Sequence, residues 1–456
     1  MPRYMRECFL ILNAIAAANK RAIQGRRSRL EQLPTELKLI IIGFLPDGAS
    51  IINLSLSGPD FCAVVCAHEK KIIEDAMTII PPSLVYLAVA NYMISTAPWH
   101  INERKQRGYG RGLKLSEAYG TSVLDFVELY RLPQELTLEK THPENMSLIQ
   151  ADIYLKTYMA VSYYAKLLSK QAMLGIPEGI EFNREVTSTV LARYEKALYI
   201  MQLVSSLFSW QGSDPEQYEM VVAWGVFWFS LFPWEIEQVF CVQRLLERHI
   251  GNLASKHRVA QHGYEHSNPQ EKVFLSKFVV HMGPLALWQA EMRTQTSMSS
   301  RVEFFMKSFR LNEFLTEGVA LPGFGATVTL PRAIQQLESP RRDKIDQGPM
   351  ELWYYTTVVA LSRATRHRGP EFFNSQRALI YSAYMLWDRM QPDSYAMPPL
   401  EEMQESLARF MHQFDLSLYE DLQYQMLDGF PIVDIIAWTI LAAIAEIQRF
   451  LRRKRN

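Results

Sequence analysis

Apolar residues recur at spacings of three and four along most of the chain, a pattern typical of α-helices. The first clear case begins at Leu33-Pro34, where proline suits the first turn because the N–H that it lacks would have no partner there. Five residues that follow share one stripe and are expected to be buried: Leu37, Ile40, Ile41, Phe44 and Leu45. Leu39 and Ile42 lie on the far side, where a helix of a closed domain would carry charge.

Two more short helices are expected after the first one. Pro46-Asp47-Gly48 ends it, and Ser50 can cap a second helix. A third begins near Pro59, again with apolar residues three and four apart. Three short helices within about 45 residues bury too little surface for much stability of their own. The spare apolar residues therefore predict a second surface that completes this core, which requires that the chain itself leaves Leu39 and Ile42 uncovered.

One set of residues in these helices has a recognisable spacing: Leu33, Pro34, Glu36, Leu37, Ile41, Phe44, Leu45, Ile51, Leu54, Ser57 and Phe61. Over about residues 30–77 this pattern resembles the F-box, although Phe61 stands where that family usually has tryptophan. The resemblance implies that the segment binds a Skp-type adaptor, which links it to a cullin ubiquitin ligase. The implied adaptor-binding residues are Leu33, Pro34, Leu37, Leu39, Ile41, Ile42, Phe44 and Leu45. The alternative is an ordinary helical hairpin that caps a larger domain.

The rest of the chain is also predicted to be helical, so the expected fold class is all-α. Long amphipathic helices are expected over residues 146–174 and 187–208, and only residues 326–330 have good strand propensity. No fixed-period repeat is present. The predicted domains are a basic helix or tail at 1–29, an F-box-like bundle at 30–80 and a large multi-helical domain at 81–456, with a polar linker at 338–348.

Aromatic residues are densest between residues 218 and 249, which predicts the centre of the main core because each can bury about 150–250 Å². The run Phe232-Pro233-Trp234-Glu235, continued by Glu237 and Gln238, looks like one associated with large helical F-box proteins of filamentous fungi. Four of these residues are candidates for binding a target protein, as an aromatic anchor beside a polar lip: Trp234, Glu235, Glu237 and Gln238. The alternative is that they form the solvent-facing edge of the core.

Composition changes this picture little. Hydrophobic residues make up 48% of the chain, enough for a sizeable core, and the formal net charge is zero, so no overall attraction to nucleic acid or anionic membrane is expected. Four cysteines in 456 residues do not form a disulfide framework, which favours a reducing compartment, the cytoplasm or nucleus. The basic end at residues 452–455 is either a nuclear import signal or a helix end that offsets its own dipole.

Two apolar segments imitate targeting or membrane signals. Residues 8–18 follow two arginines but are interrupted by Asn13, so a short helix is expected rather than a secretory signal. The uninterrupted apolar part of residues 430–448 is shorter than the roughly 20 residues that a spanning helix needs. A buried terminal helix is expected there, with a tail anchor as the alternative, so a membrane is not an expected partner.

The sequence offers no convincing catalytic or metal-binding motif. His262 to His266 has the H-x-x-E-H spacing of a zinc-peptidase motif, but Gly263 lies inside it and Pro269 follows, which favours a loop. Cys62 and Cys66 are interpreted as small packing residues. Basic residues between 104 and 114 could grip RNA but are better explained as a charged loop. No metal and no cofactor are expected.

The function predicted from the sequence is that of a substrate-receptor subunit of an SCF-type cullin ligase, which performs no chemistry itself. Its bundle would bind the adaptor and its helical body an unidentified target protein. The alternative is a helical protein-interaction scaffold with no ligase role. A third interpretation, a helical enzyme with a pocket lined by aromatic residues between 224 and 234, has no identifiable catalytic group.

Overall fold

The computed structural model describes residues 30–45, 48–100, 117–130, 146–174, 186–208, 223, 226–228, 230–257 and 269–293, together with Pro349 and Leu386. Of these residues, 88% are helical and none lies in a strand. The predicted all-α fold class is confirmed for this part of the chain.

Three helices lie near the start of the described residues, where the sequence predicted three. They are α1 (Thr35–Gly43), α2 (Gly48–Ser57) and α3 (Pro59–Met77). A 3₁₀ turn (Pro82–Leu84) and helix α4 (Val85–Thr96) follow. Pro59 opens α3, with Asp60 in its first turn, where a negative charge favours the positive end of the helix dipole.

The chain divides into two compact units. The described residues of the first unit are 30–45, 48–92 and 146–159, and those of the second include 93–100, 117–130, 160–174 and 186–293 with its gaps. This division concerns compactness alone, so the domain limits expected from the sequence remain predictions.

The core of the first unit joins the three-helix bundle to a distant part of the chain. Helix α6 (Leu148–Leu174) supplies two of its residues. The buried members of this core are Ile42, Ile51, Val64, Val65, Ile72, Ile73, Leu148 and Ala151. The first unit thus completes its own interior on one side of the bundle.

The start of α6 is held by its own residues and by one side chain of α3. Ser147 and Gln150 exchange side chain to backbone hydrogen bonds of 2.7 and 3.4 Å, the reciprocal arrangement of a capping box. The carboxylate of Glu69, on α3, accepts a hydrogen bond of 3.0 Å from the backbone N–H of Leu148. This acceptor satisfies one of the N–H groups that every helix start leaves open.

The second unit is built from long helices. They are α5 (Glu117–Tyr130), the later part of α6, α7 (Ser188–Phe208), α8 (Pro233–His257) and α9 (Pro269–Arg293). Helices α7, α8 and α9 pack against one another in pairs. Fifteen residues of α7 are buried, so this helix lies at the centre of the unit. The aromatic core predicted around residues 218–249 is present, since Phe227 and Trp234 are almost fully buried.

Helix α9 is broken near its middle, at residues 283–284. Gly283 has φ +68°, which lies in the left-handed region, and Pro284 follows it. Ser205, on α7, donates a hydrogen bond of 3.1 Å to the carbonyl oxygen of His281. A neighbouring helix thus satisfies a backbone group that the break releases.

Several sequence-based predictions concern residues outside those that the structure describes. These are the N-terminal helix or tail at 1–29, the motif at His262–His266, the strand at 326–330, the linker at 338–348, the apolar segment at 430–448 and the basic end at 452–455. Among the described residues, no single helix is long and apolar enough to span a membrane. Within that described part of the chain, one bent pair of helices, Pro59–Met77 and Pro82–Thr96 with 94° between them, has the length and apolar composition when the two are taken together.

Candidate protein-docking surface

Helix α1 exposes a row of large apolar side chains. Leu37, Ile40 and Phe44 are 45%, 53% and 84% exposed. Because residues three and four apart are neighbours on a helix, they form one continuous stripe, which we name the α1 stripe. Pro34, just before the helix, is also exposed. Single exposed apolar residues are common on proteins, whereas a continuous exposed row is typical of a surface that binds another protein.

The prediction that Leu37, Ile40 and Phe44 are buried is wrong, because all three side chains are exposed. The buried residues of α1 are Lys38 and Ile42. The helix is therefore rotated from the expected orientation by about 100°, the step of a single residue. Leu39 and Ile42 lie against or within the core of the first unit, so the requirement that the chain leave both residues uncovered is not met.

Lys38 explains this rotation. Its ammonium donates a hydrogen bond of 2.8 Å to the carbonyl oxygen of Glu31, and it lies 5.7 Å from the centroid of the Phe61 ring. A lysine can bury its aliphatic stem when its charged end finds an acceptor or an aromatic face. With Lys38 directed inward, Ile42 follows on the same face one turn later.

The predicted adaptor-binding residues therefore fall into three groups. Pro34, Leu37 and Phe44 are exposed, and Ile42 is 2% exposed. The remaining four, Leu33, Leu39, Ile41 and Leu45, are half-buried. Ile40 belongs to the exposed stripe but was missing from the predicted set. Its position three residues after Leu37 and four before Phe44 is the signal that could have found it.

The predicted target-binding residues at the start of α8 are mostly inside the second unit. Trp234 is 2% exposed and stacks on Phe232, with ring centroids 4.8 Å apart. Gln238 is also buried, and Glu237 is half-buried. This burial differs both from an accessible anchor with a polar lip and from a solvent-facing edge of the core, since only Glu237 of the four residues is half-buried.

Glu235 has a structural task in this arrangement. One of its carboxylate oxygens accepts a hydrogen bond of 2.8 Å from the backbone N–H of Phe232, which closes the start of α8. The other oxygen is paired with Lys196 on α7. A carboxylate in the first turn also favours the positive end of the helix dipole. The interactions of Glu235 therefore hold α8 in place.

A polar cluster that the sequence analysis missed joins three helices of the second unit. Tyr163 and Tyr164, on α6, each donate a hydrogen bond of 3.0 Å to a different oxygen of Glu291, on α9. His249, on α8, places Nε2 3.3 Å from both carboxylate oxygens. Gln171 lies 3.1 Å from the other ring nitrogen, Nδ1. Both nitrogens of the imidazole thus have a polar neighbour. The contacts of the cluster connect α6, α8 and α9.

The cluster shifts the pKa values of its members. Burial alone would raise the pKa of Glu291, but hydrogen bonds and the charge of His249, with the two tyrosine hydroxyls, lower it below its usual value. Burial first, and then Glu291, raise the pKa of Tyr163 to about 12. The same causes raise the pKa of Tyr164 well above its usual value. Glu291 is therefore held as the anion and both tyrosines as neutral donors.

The part of the chain that the structure describes contains no group of three or more histidine, cysteine, aspartate or glutamate side chains placed to hold a metal ion. His249 is engaged by Glu291 and Gln171. Among the described residues, the α1 stripe is an exposed apolar row suited to contact with another protein. Comparisons with protein-family models, with curated proteins and with solved structures find no match to this chain.

Proposed function

We propose that this chain is a non-catalytic protein-binding subunit whose α1 stripe docks on a partner. The F-box resemblance of residues 30–77 gives that partner a chemical identity, a Skp-type adaptor. The chain would then act as a substrate receptor of an SCF-type cullin ligase. The observation that carries the proposal is the exposed row of Leu37, Ile40 and Phe44.

The support for this proposal lies on a different face of α1 from the one that the sequence indicated. Ile42 and Leu39 do not contribute to it, because they pack in the chain's own core. The docking surface instead consists of Pro34, Leu37, Ile40 and Phe44. A receptor needs only to position its target, since the ligase's other subunits perform the transfer. The target-binding surface of the helical body is left without assigned residues.

A second candidate, a helical interaction scaffold without a ligase role, is favoured by a separate observation. The core of the bundle includes Leu148 and Ala151, from far along the chain. A bundle that shares its interior with later residues is less independent than a self-contained adaptor-binding module. Under this alternative the α1 stripe binds a protein other than a Skp-type adaptor.

Co-expression of the full chain with a Skp-type adaptor tests the ligase proposal. We expect the adaptor to co-purify with the wild-type chain and to be lost from an Ile40→Asp/Phe44→Asp variant. Both substituted residues are exposed, so the variant should fold. Leu129→Asp, at a residue 46% exposed on α5, is the matched control and should retain the adaptor.

Absence of the adaptor from the purified wild-type chain would exclude the ligase role and leave the scaffold. Retention by the double variant at the wild-type level would remove the α1 stripe as the docking surface. Loss from the Leu129→Asp control as well would indicate a general defect and contradict the assignment to α1.

A further inference from the structure

Helix α3 carries two cysteines on a side that does not belong to the buried core. Cys62 is half-buried and Cys66 is exposed. Val64, Val65 and Ile72 of the same helix point into the core of the first unit. The two thiols are four residues apart, one above the other on one face of the helix. They are close enough for a hydrogen bond between the side chains.

This spacing suits a bridging atom better than a disulfide. On a regular helix, Cβ atoms four residues apart are about 5–6 Å from each other. A disulfide needs its Cβ atoms at about 3.8 Å, so forming one here would distort the helix. A single soft atom placed between the two sulfurs lets α3 keep its geometry. Soft ions are also the ones that prefer thiolate ligands.

The surroundings of the pair limit the kind of ion. Zinc sites in proteins almost always have four ligands, and the described residues contain no group of three or more potential ligands. The neighbouring carboxylate of Glu69 accepts the hydrogen bond from Leu148 that caps α6, so it has a structural role already. A centre satisfied by two sulfurs therefore fits this site best.

We propose that Cys62 and Cys66 together form a two-thiol site for a soft, thiophilic centre, such as monovalent copper or trivalent arsenic. With phenylarsine oxide, two S–As bonds form, and the oxide oxygen leaves as water with the two thiol protons. Arsenic remains trivalent and no oxidant is consumed. With copper, two S–Cu bonds form and two protons are released to solvent.

Intact-mass analysis of the full chain tests this proposal in a Cys8→Ser/Cys241→Ser background, which removes the other two thiols. We expect one equivalent of phenylarsine oxide to bind and to resist an excess of a monothiol competitor. Cys62→Ser and Cys66→Ser should each weaken retention by about a hundredfold, since the second bond of a chelate is intramolecular. Circular dichroism should report an unchanged helix content on binding.

The matched control moves one thiol by a single position. Cys66→Ser combined with Ala67→Cys keeps two cysteines but places the second about 100° away around the helix. Equal retention by this variant would overturn the proposal, as would formation of a Cys62–Cys66 disulfide in oxidised glutathione with the helix intact.

A parallel titration with monovalent copper against a competing chelator shows whether the site binds copper, arsenic or both. Binding of either probe that depends on both thiols supports the site, and binding of neither overturns it.

Discussion

Gln202 accepts a hydrogen bond of 2.9 Å from the backbone N–H of Leu285, through its Oε1 atom. The two residues lie on different helices, α7 and α9, and meet where α9 is broken. Ser205, one turn further along α7, donates to the carbonyl of His281 on the other side of the break. One face of α7 thus supplies an acceptor and a donor to the backbone groups that the break leaves open. The break depends on α7 as much as on its own Gly283 and Pro284.

Replacing Gln202 should reveal the cost of an unsatisfied backbone group. We expect Gln202→Leu to lower the free energy of unfolding by about 1–3 kcal/mol, because the N–H of Leu285 loses its acceptor in a partly buried place. Ser206→Ala is the control, since it removes only the other hydrogen bond of Gln202, 3.3 Å long. Urea denaturation compares the two, and an equal loss in both variants would contradict this account.

Gly283 should tolerate no side chain. A Cβ atom there would lie 2.5 Å from Oγ of Ser205, and φ of +68° is strained for any other residue. We expect Gly283→Ala to cost at least about 1–3 kcal/mol in the free energy of unfolding. At Gly43 no atom lies within 4 Å of an added Cβ, so Gly43→Ala should be neutral or stabilising by up to about 1 kcal/mol. A thermal melt of both variants is sufficient, and a similar decrease in both would refute the prediction.

The orientation of α1 can be tested with two isoleucines of the same helix. Ile42→Ala should lower the free energy of unfolding by about 2–5 kcal/mol, since it empties a buried position in the first unit. Ile40→Ala should change it by less than about 0.5 kcal/mol, because Ile40 is 53% exposed. The opposite ranking in chemical denaturation would restore the orientation that the sequence suggested.

Glu291 should make the stability of the second unit sensitive to acid. Its pKa is lower in the folded chain than in the unfolded one, so the ionised form stabilises the folded state. That contribution is present above about pH 4.5 and is lost as the pH falls through the lowered pKa. We expect Glu291→Gln to be less stable than wild type at neutral pH, with the difference shrinking in acid. Glu74→Gln, at an exposed residue of α3, controls for the general loss of a carboxylate.

Tyr163 should make the stability of the folded chain sensitive to alkaline pH. Its pKa rises to about 12 in the folded chain, so the neutral hydroxyl is the favoured form there. The resulting stability is complete below about pH 10, the usual pKa of tyrosine, and is lost as the pH rises through about 12. Tyr163→Phe should remove the contribution of Tyr163 to this alkaline dependence, whereas that of Tyr164 should remain. In an absorbance titration of tyrosinate, Glu291→Gln should bring part of the ionisation to lower pH, and an unchanged curve would contradict the role of Glu291.

Much of the fold followed from the sequence because helices are local structures. The helix expected at 146–174 is α6, and that at 187–208 is α7. Prolines, a capping box and three- to four-residue periodicity involve only neighbouring residues, so these signals are complete in the sequence.

The orientation of α1 was beyond that kind of inference. Apolar residues occupy nearly the whole circumference of this helix, so periodicity alone does not select one face. The face that is buried depends on Lys38, which contacts the carbonyl oxygen of Glu31 and the ring of Phe61. It also depends on Leu148, which joins the same core from another part of the chain. The cluster of Tyr163, His249 and Glu291 was missed for the same reason, since its members are distant in sequence.

The sequence by itself determined that this protein is helical, where most of its described helices begin and end, and that its first helices carry more apolar surface than one face can bury. Only the tertiary structure decided which of that surface stays open, because burial depends on partners that approach from elsewhere in the chain. Leu37, Ile40 and Phe44 are exposed and Ile42 is enclosed, although all four are equally apolar in kind. Packing, rather than hydrophobicity, separates the candidate docking surface from the core.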